Sequence, residues 1–510
     1  MKKIAIRSYN PATGEVLGEV KTSSPEDVAD AVSRSKKAFK IWSKISFKEK
    51  ATILLKAKNV ILEESNEITD LIVKEVGKPK IEALTGEVFG VLEAIDYYAK
   101  NAEKLLKSET IGLPWYKGGV KNTFLFEPKG VVGVISPWNY PFYTCLKIII
   151  QALITGNTVI LKPSEWTPLI AEKIKEILEK SGLPKDVFIV LQGEGRIVGQ
   201  CLVESDINKI AFTGSVATGK KIMSASAEKL HSITLELGGS DPCIVLDDAD
   251  LERASSGVVW GRFLNAGQVC AAVKRVYVVE SVAEAFIDKV VSKTMKIRVG
   301  NGLDPETEMG PLISKEQLET IIRQVKDAKS NGAKILCGGK QLKELGELFY
   351  APTVLVDVNP EMKVLKEETF GPIMPITIVK DEDEAIKLAN DSEFGLGGSI
   401  WTGDLKKGKK LAEQLQAGTI WINNVLVLDP RTPWIGIKNS GMGQTDSFYG
   451  LLEFVNIKNI SVSNSKKRME DYWHPYSAHN LKYFNSAKNL VFSDNLFGKF
   501  KALLRMRKKK

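Results

Sequence analysis

The sequence predicts an α/β protein whose parallel sheets are covered by helices. Two observations carry that prediction. Short apolar, β-branched runs alternate with amphipathic stretches between residues 131 and 227, and the same alternation returns between about 240 and 440. A strand–helix–strand rhythm supplies crossover helices, and these pack on both faces of a parallel sheet. With 510 residues, 44% of them hydrophobic and 26% charged, the chain is long enough for several domains and a large core. The same composition excludes a disordered chain, a collagen-like fibre and a disulfide-stapled miniprotein.

The elements follow in order. Ser24-Pro25-Glu26-Asp27 opens a helix, with a capping serine, proline in the first turn and two acids at the positive dipole end. Helical spacing continues over 47–64 and 80–106. Residues 107–129 are more polar, broken by Gly112, Pro114, Gly118 and Gly119, with strand-like pieces between. Strands are expected at 131–136, 158–162, 187–191 and 209–213, and helices at 142–154, 167–180 and 216–227. Parallel sheets bind ligands at the carboxyl ends of their strands, so functional loops are expected after Ser136, Lys162 and Thr213. The second stretch predicts helices at 251–264, 282–296, 314–331 and 382–390, and strands at 275–280, 353–357 and 373–379. The last sixty residues are polar, then basic, and no short-period repeat is present.

Composition also bounds the chemistry. The five cysteines, Cys145, Cys201, Cys243, Cys270 and Cys337, form no C-x-x-C pair, so neither a zinc site nor a disulfide framework is expected. Such a set fits a reducing compartment. Three histidines, His231, His474 and His479, leave imidazole catalysis few candidates. The basic N-terminus lacks the apolar stretch of a signal peptide, and no run reaches the ~18 apolar residues of a membrane span. The nearest, 142–161, is interrupted by Lys147, Gln151, Gly156 and Asn157. A cytoplasmic protein is therefore expected. The net charge is +9, but residues 495–510 hold seven bases and no acid. The basic balance is thus a local property of the tail, and no nucleic-acid partner is expected.

Five stretches carry candidate chemistry, each with a blander local alternative. Phe212-Thr213-Gly214-Ser215 leads from a strand into a helix, where free N–H groups attract phosphate; a simple tight turn is the alternative. Gly214 to Lys220 fits the Walker spacing, but Lys221 stands where Ser or Thr must hold magnesium, which disfavours a nucleotide triphosphatase. Asn265-Ala266-Gly267-Gln268-Val269-Cys270 places a thiol in a loop. A thiolate is a strong nucleophile near neutral pH, whereas many free cysteines are only small buried hydrophobes. Thr234-Leu235-Glu236-Leu237-Gly238-Gly239 sets one carboxylate at an apolar strand end. A desolvated acid there is expected to have a raised pKa and to serve as a general base, unless it is structural. Ser136-Pro137-Trp138-Asn139-Tyr140 offers an amide donor for an oxyanion, or an aromatic packing corner. Lys162-Pro163-Ser164-Glu165 suits ribose hydroxyls, or is a solvated charged loop.

Together with Glu367-Glu368-Thr369-Phe370-Gly371-Pro372, these motifs make the sequence resemble the NAD(P)-dependent aldehyde dehydrogenases over roughly residues 5–460, with every landmark in the family's order. The resemblance implies an aldehyde-dehydrogenase-like α/β fold. Its parts are a Rossmann-like cofactor domain (1–106 and 130–237), an α/β catalytic domain (238–445) and a small oligomerisation element (107–129 and 446–465), followed by a C-terminal extension (466–510). It implies that Cys270 attacks the aldehyde, that Glu236 activates water against the thioester, and that Asn139 and the Cys270 N–H hold the oxyanion. Lys162 and Glu165 match ribose-binding positions, and the acid at 165 favours NAD over NADP. Gly214 and Ser215 match the pyrophosphate turn. Glu368 and Phe370 match the nicotinamide contacts, with Trp138 beside them. Relatives that pass the acyl group to coenzyme A lack the glutamate, so its presence implies a free acid. The family also implies a homodimer or homotetramer and no metal.

Departures fall in the substrate region. Lys147 and Ile148 stand where many relatives have an aromatic followed by lysine. Tyr140, Trp434 and the run 425–428 suggest an apolar tunnel for an aldehyde of medium or long chain. Arg431 leaves a succinate-semialdehyde-type enzyme as the alternative, and an inactive membrane-binding scaffold is a further one. In the tail, Asp494 is expected to cap a helix whose Leu496, Phe497, Phe500, Leu503 and Leu504 form one apolar stripe among the seven bases. A basic amphipathic helix of this kind lies on an anionic membrane surface, which suggests a peripheral place on the inner face of a membrane; docking on a partner subunit is the alternative.

Overall fold

The computed structural model describes residues 5–117 and 119–507. Two compact units are present, one of residues 1–106 and 128–456, the other of 107–127 and 457–510. The larger unit keeps Ser447–Leu452 as a helix and runs to Asn456, and the smaller one resumes at 457.

The larger unit holds two sheets. In the first, five parallel strands lie in the order Phe188–Val190, Thr158–Lys162, Val131–Ile135, Lys209–Thr213, Ser232–Glu236, and Gly441–Met442 pairs antiparallel on the edge. The chain leaves the central strand in one direction for the first three strands and in the other for the next two. The order therefore reverses beside Val131–Ile135, which opens a crevice between the loops after Ile135 and Thr213. Both of these strands are almost wholly buried because helices cover both faces. One cover is Pro141–Ile154, in which nearly every side chain is buried. It forms much of the apolar stretch that came nearest to a membrane span, and among the described residues no helix is long and apolar enough to cross a membrane. The second sheet has seven strands, with Asp241–Val245 and Val273–Val279 at its heart.

Local chemistry explains most boundaries. Ser24 and Asp27 form the reciprocal capping box that starts Pro25–Trp42. The predicted continuous helix over 80–106 is broken: Lys80–Ala83 passes into a π-helical segment, Leu84–Phe89, before Gly90–Leu105. Glu87 lies in that segment, and its carboxylate accepts the N–H groups of Phe142 (2.8 Å) and Tyr143 (3.3 Å). It thereby caps Pro141–Ile154, whose own N-terminal side chain makes no capping bond.

Most of a three-stranded sheet lies in the smaller unit: Glu109–Gly112 pairs antiparallel with Lys121–Pro128, whose last residue belongs to the larger unit, and Val455–Val462 extends it from residue 457 on. Residues 457–462 are exposed along the strand. Two helices, Ala478–Phe492 and Leu496–Arg507, pack against each other. The cap of the second is Asn495, not Asp494: its side-chain oxygen accepts from Phe497 N (3.0 Å) and Gly498 N (3.4 Å). Position decides this, since the capping residue directly precedes the first helical one. Ala502 is buried, while Leu496, Phe497, Phe500, Leu503 and Leu504 are exposed.

Candidate active site

A cleft of about 580 Å³ opens where the first sheet reverses its strand order. It gathers residues from six separated stretches: Trp138, Asn139 and Tyr140; Gly214 and Ser215; Glu236; Cys270; Glu368 and Phe370; and Trp434. Lys162 and Glu165 stand apart from that lining at the end of Thr158–Lys162. There Lys162 is buried and its Nζ lies 3.0 Å from Glu165, whose other oxygen accepts the Gly195 N–H at 3.1 Å.

Cys270 follows three consecutive residues with left-handed backbone, Asn265, Ala266 and Gly267. Two of these are not glycine, and such strain persists only where the surroundings impose it. They do so here: Asn265 N donates to the buried Glu82 (2.8 Å), Asn265 Nδ2 donates to the Asn139 carbonyl (3.1 Å), and Gln268 Nε2 donates to the Asn265 carbonyl (3.0 Å). Burial pushes Glu82 up to about 8. Burial also pushes the Cys270 thiol up to about 12. Lys274 draws it down, while Glu236, Glu368 and Asp241 push it further up.

Asn139 is pinned on both sides. Its side-chain amide donates to the Gln268 carbonyl (3.0 Å), and its own carbonyl accepts from the buried Lys78 (2.8 Å). Lys78 also pairs with Glu87 at 2.7 Å and sits 3.5 Å from the centre of the Tyr140 ring. An amide carries two hydrogens, so one remains to Asn139 for a ligand in the cleft.

Glu236 is not the lone desolvated acid that its apolar strand suggested. The Thr445 hydroxyl donates to it at 2.5 Å, and the Lys147 ammonium lies 3.4 Å away. Lys147 also reaches Asp446 at 3.5 Å. Burial alone would lower the Lys147 pKa, but Asp446 and Glu236 outweigh it and hold the ammonium above its ordinary range. Two glycines permit the approach of this turn to its neighbours. A Cβ on Gly238 would come within 2.2 Å of Glu368 Oε2, and one on Gly239 within 2.6 Å of the Cys270 carbonyl.

The remaining expectations sort clearly. Trp138 and Phe370 meet edge to face at 5.6 Å. Leu426 and Leu428 line the cleft, whereas Val425 packs into the core and Val427 is exposed. Arg431 does not line the cleft: it is exposed, and its guanidinium pairs with Asp429. Lys78, Glu82, Glu87, Lys274 and Asp446 lie outside the motifs that mark the site in the sequence. The available sign for Lys274 was a lysine–arginine pair at the head of an otherwise apolar strand, Val273–Val279, which a fully buried position must partner.

A dinucleotide fits these residues. Ser215 caps Val216–Ala227, and that helix N-terminus suits a pyrophosphate. Lys162 and Glu165 form a donor and acceptor set for ribose hydroxyls. Among the described residues, the buried Thr213 hydroxyl at the strand end finds no hydrogen-bond partner.

Residues 2–460 match the Aldehyde dehydrogenase family. The mitochondrial succinate-semialdehyde dehydrogenase of Oryza sativa subsp. japonica is 36% identical over 460 residues, covering 90% of this chain and 86% of that protein. A betaine aldehyde dehydrogenase of Vibrio vulnificus (strain YJ016) is 37% identical over 462 residues, covering 89% and 93%. The solved NAD+ complex of an aldehyde dehydrogenase from Bacillus cereus superposes with a TM-score of 0.87 at 37% identity, covering 90% of this chain and 94% of that one. The chain belongs to the aldehyde dehydrogenase family and is an NAD(P)-dependent aldehyde dehydrogenase.

The Lys147 cluster yields a test. Lys147→Met leaves Glu236 and Asp446 facing each other without a cation, and removing one partner of a buried pair costs about 3–5 kcal/mol. Thermal unfolding should show a clear loss for Lys147→Met and partial recovery when Asp446→Asn is added. Simple additivity of the two losses would show that the three groups do not act as a unit.

Proposed function

We propose that this enzyme oxidises apolar aldehydes of medium or long chain to the free acid, with NAD preferred over NADP, through a covalent intermediate on Cys270. The observation that carries the substrate class is the cleft wall: Trp260, Leu264, Val269, Leu426, Leu428 and Trp434, with Tyr140 beside them. Arg431, the candidate partner for a substrate carboxylate, is held by Asp429.

The chemistry divides among this chain's own groups. The Cys270 thiol releases its proton to solvent before attack, which leaves Glu236 ionised for the later hydrolysis step. Addition of sulfur to the aldehyde carbon makes a thiohemiacetal oxyanion. The free amide hydrogen of Asn139 and the Cys270 N–H are its donors; losing one such donor costs on the order of 10²–10³ in rate. NAD, when bound, would supply the two-electron oxidant for that carbon, and loss of hydride to it would leave the acyl group on Cys270 as a thioester. Glu236 then deprotonates a water that attacks the thioester, releasing the acid and restoring the thiol. Lys162 and Glu165 hold the adenosine ribose, where the acid repels a 2′-phosphate. Ser215 and the N–H groups following Gly214 take the pyrophosphate, while Glu368, Phe370 and Trp138 place the nicotinamide end.

In the smaller unit, the exposed strand over 457–462 supports a homodimer or homotetramer through edge pairing. The exposed stripe from Leu496 to Leu504, with bases on the same helix, supports a peripheral attachment to an anionic membrane on its cytoplasmic face.

Two measurements test these readings. Each buried methylene contributes about 0.8 kcal/mol, so kcat/KM over a series of straight-chain aldehydes should rise about fourfold per carbon until the cleft is filled, and should be higher with NAD than with NADP. Succinate semialdehyde or betaine aldehyde outpacing decanal would overturn the substrate class. The full chain should float with vesicles containing phosphatidylserine, and a variant truncated after residue 490 should not; equal flotation would refute the membrane assignment.

A further inference from the structure

Lys274 belongs to no motif, yet it is the most fully engaged cation at the cleft. It stands second in Val273–Val279, four residues after Cys270, and its side chain is wholly buried. An ammonium has three hydrogens to donate. All three are placed: to the Gly239 carbonyl at 2.7 Å, to the Cys270 carbonyl at 2.9 Å and to Glu368 Oε1 at 2.7 Å. The same Glu368 oxygen takes the Gly239 N–H at 3.0 Å. Nζ also lies 5.4 Å from the centre of the Phe370 ring.

We propose that Lys274 is a positioning residue that locks the cysteine loop, the Glu236–Gly239 turn and Glu368 into one rigid unit, and so sets nucleophile, base and nicotinamide-end carboxylate relative to one another. The proposal rests on the roles assigned above to Cys270 and Glu368. The three acceptors come from three separated segments, so no local interaction could hold them together. The acceptors also explain the residue type. Methionine of similar length would leave two buried carbonyls and a carboxylate short of a donor. A guanidinium is planar and larger, and cannot direct three bonds tetrahedrally.

A second consequence is electrostatic. Cys270 is faced by Lys274 on its own strand side, by Glu236 and Asp241 on either side of the glycine turn, and by Glu368; its charge also bears on Tyr140 and Lys147. Lys274 opposes the acids. Removing the lysine should make the thiolate scarcer, and removing Glu368 should make it more abundant. A purely structural role predicts no such opposition of sign.

The test uses the full chain without cofactor. Alkylation of Cys270 by iodoacetamide at pH 8 is followed by peptide mass mapping, and NAD binding is measured separately by titration. Lys274→Met should alkylate about tenfold more slowly than wild type and bind NAD about tenfold more weakly, and Lys274→Arg should restore part of the alkylation rate but less of the NAD affinity. Glu368→Gln should alkylate faster than wild type. Wild-type alkylation rates in both the Met and Gln variants, or a change in the same direction in both, would overturn the proposal. If Lys274→Met does not fold, the sign for Glu368→Gln decides alone. Absence of alkylation at wild-type Cys270 would instead count against its assignment as nucleophile, and would remove the ground on which the proposal stands.

Discussion

A buried ammonium group must be surrounded by acceptors, and that requirement organises the cleft. Lys78, Lys147 and Lys274 are each almost fully withdrawn from solvent. Each ties together segments that are distant in the chain. Lys78 joins the Asn139 loop to Glu87. Lys147 joins the helix after that loop to Glu236 and Asp446. Lys274 joins the cysteine loop to the glycine turn and Glu368. Losing a partner of such a group costs far more than losing a surface pair. The proposed oxyanion donor, base and nucleophile thus sit on loops whose positions are enforced from below by charge pairing rather than by the loops' own conformations.

The same logic links fold to site. The parallel sheet reverses its strand order beside Val131–Ile135 and leaves a crevice. The helix Pro141–Ile154 then brings Lys147 beneath that crevice. It can do so because Glu87 satisfies its first N–H groups from another segment. The π-helical stretch Leu84–Phe89 is the local departure that carries Glu87 there. Departures of this kind recur at functional sites.

Much of this was legible in sequence. Alternating runs marked the strands Val131–Ile135, Thr158–Lys162 and Lys209–Thr213 to within a residue, because parallel strands covered on both faces read as short apolar blocks. Motifs located Cys270, Glu236 and Asn139, which the fold brings into one cleft. What was not legible depended on partners far apart in sequence. Nothing near Lys78 or Lys274 announces Glu87 or Glu368. The break within 80–106 follows from a contact with Phe142 and Tyr143, which no helical spacing records. The pairing of Arg431 with Asp429 is local, since an aspartate two residues earlier can reach its guanidinium. Asn495 displaced Asp494 as cap through a one-residue shift of the helix start, a boundary that pattern alone places poorly.

Cys270 and Glu236 are proposed to act in succession, the first forming the thioester and the second releasing it. Intact-mass measurement of Glu236→Gln, mixed with a long-chain aldehyde and excess NAD, tests this most directly. The account predicts about one NADH per subunit and a stable acyl adduct that maps to Cys270. Continued turnover at the wild-type rate, or an adduct on any other cysteine, would contradict it.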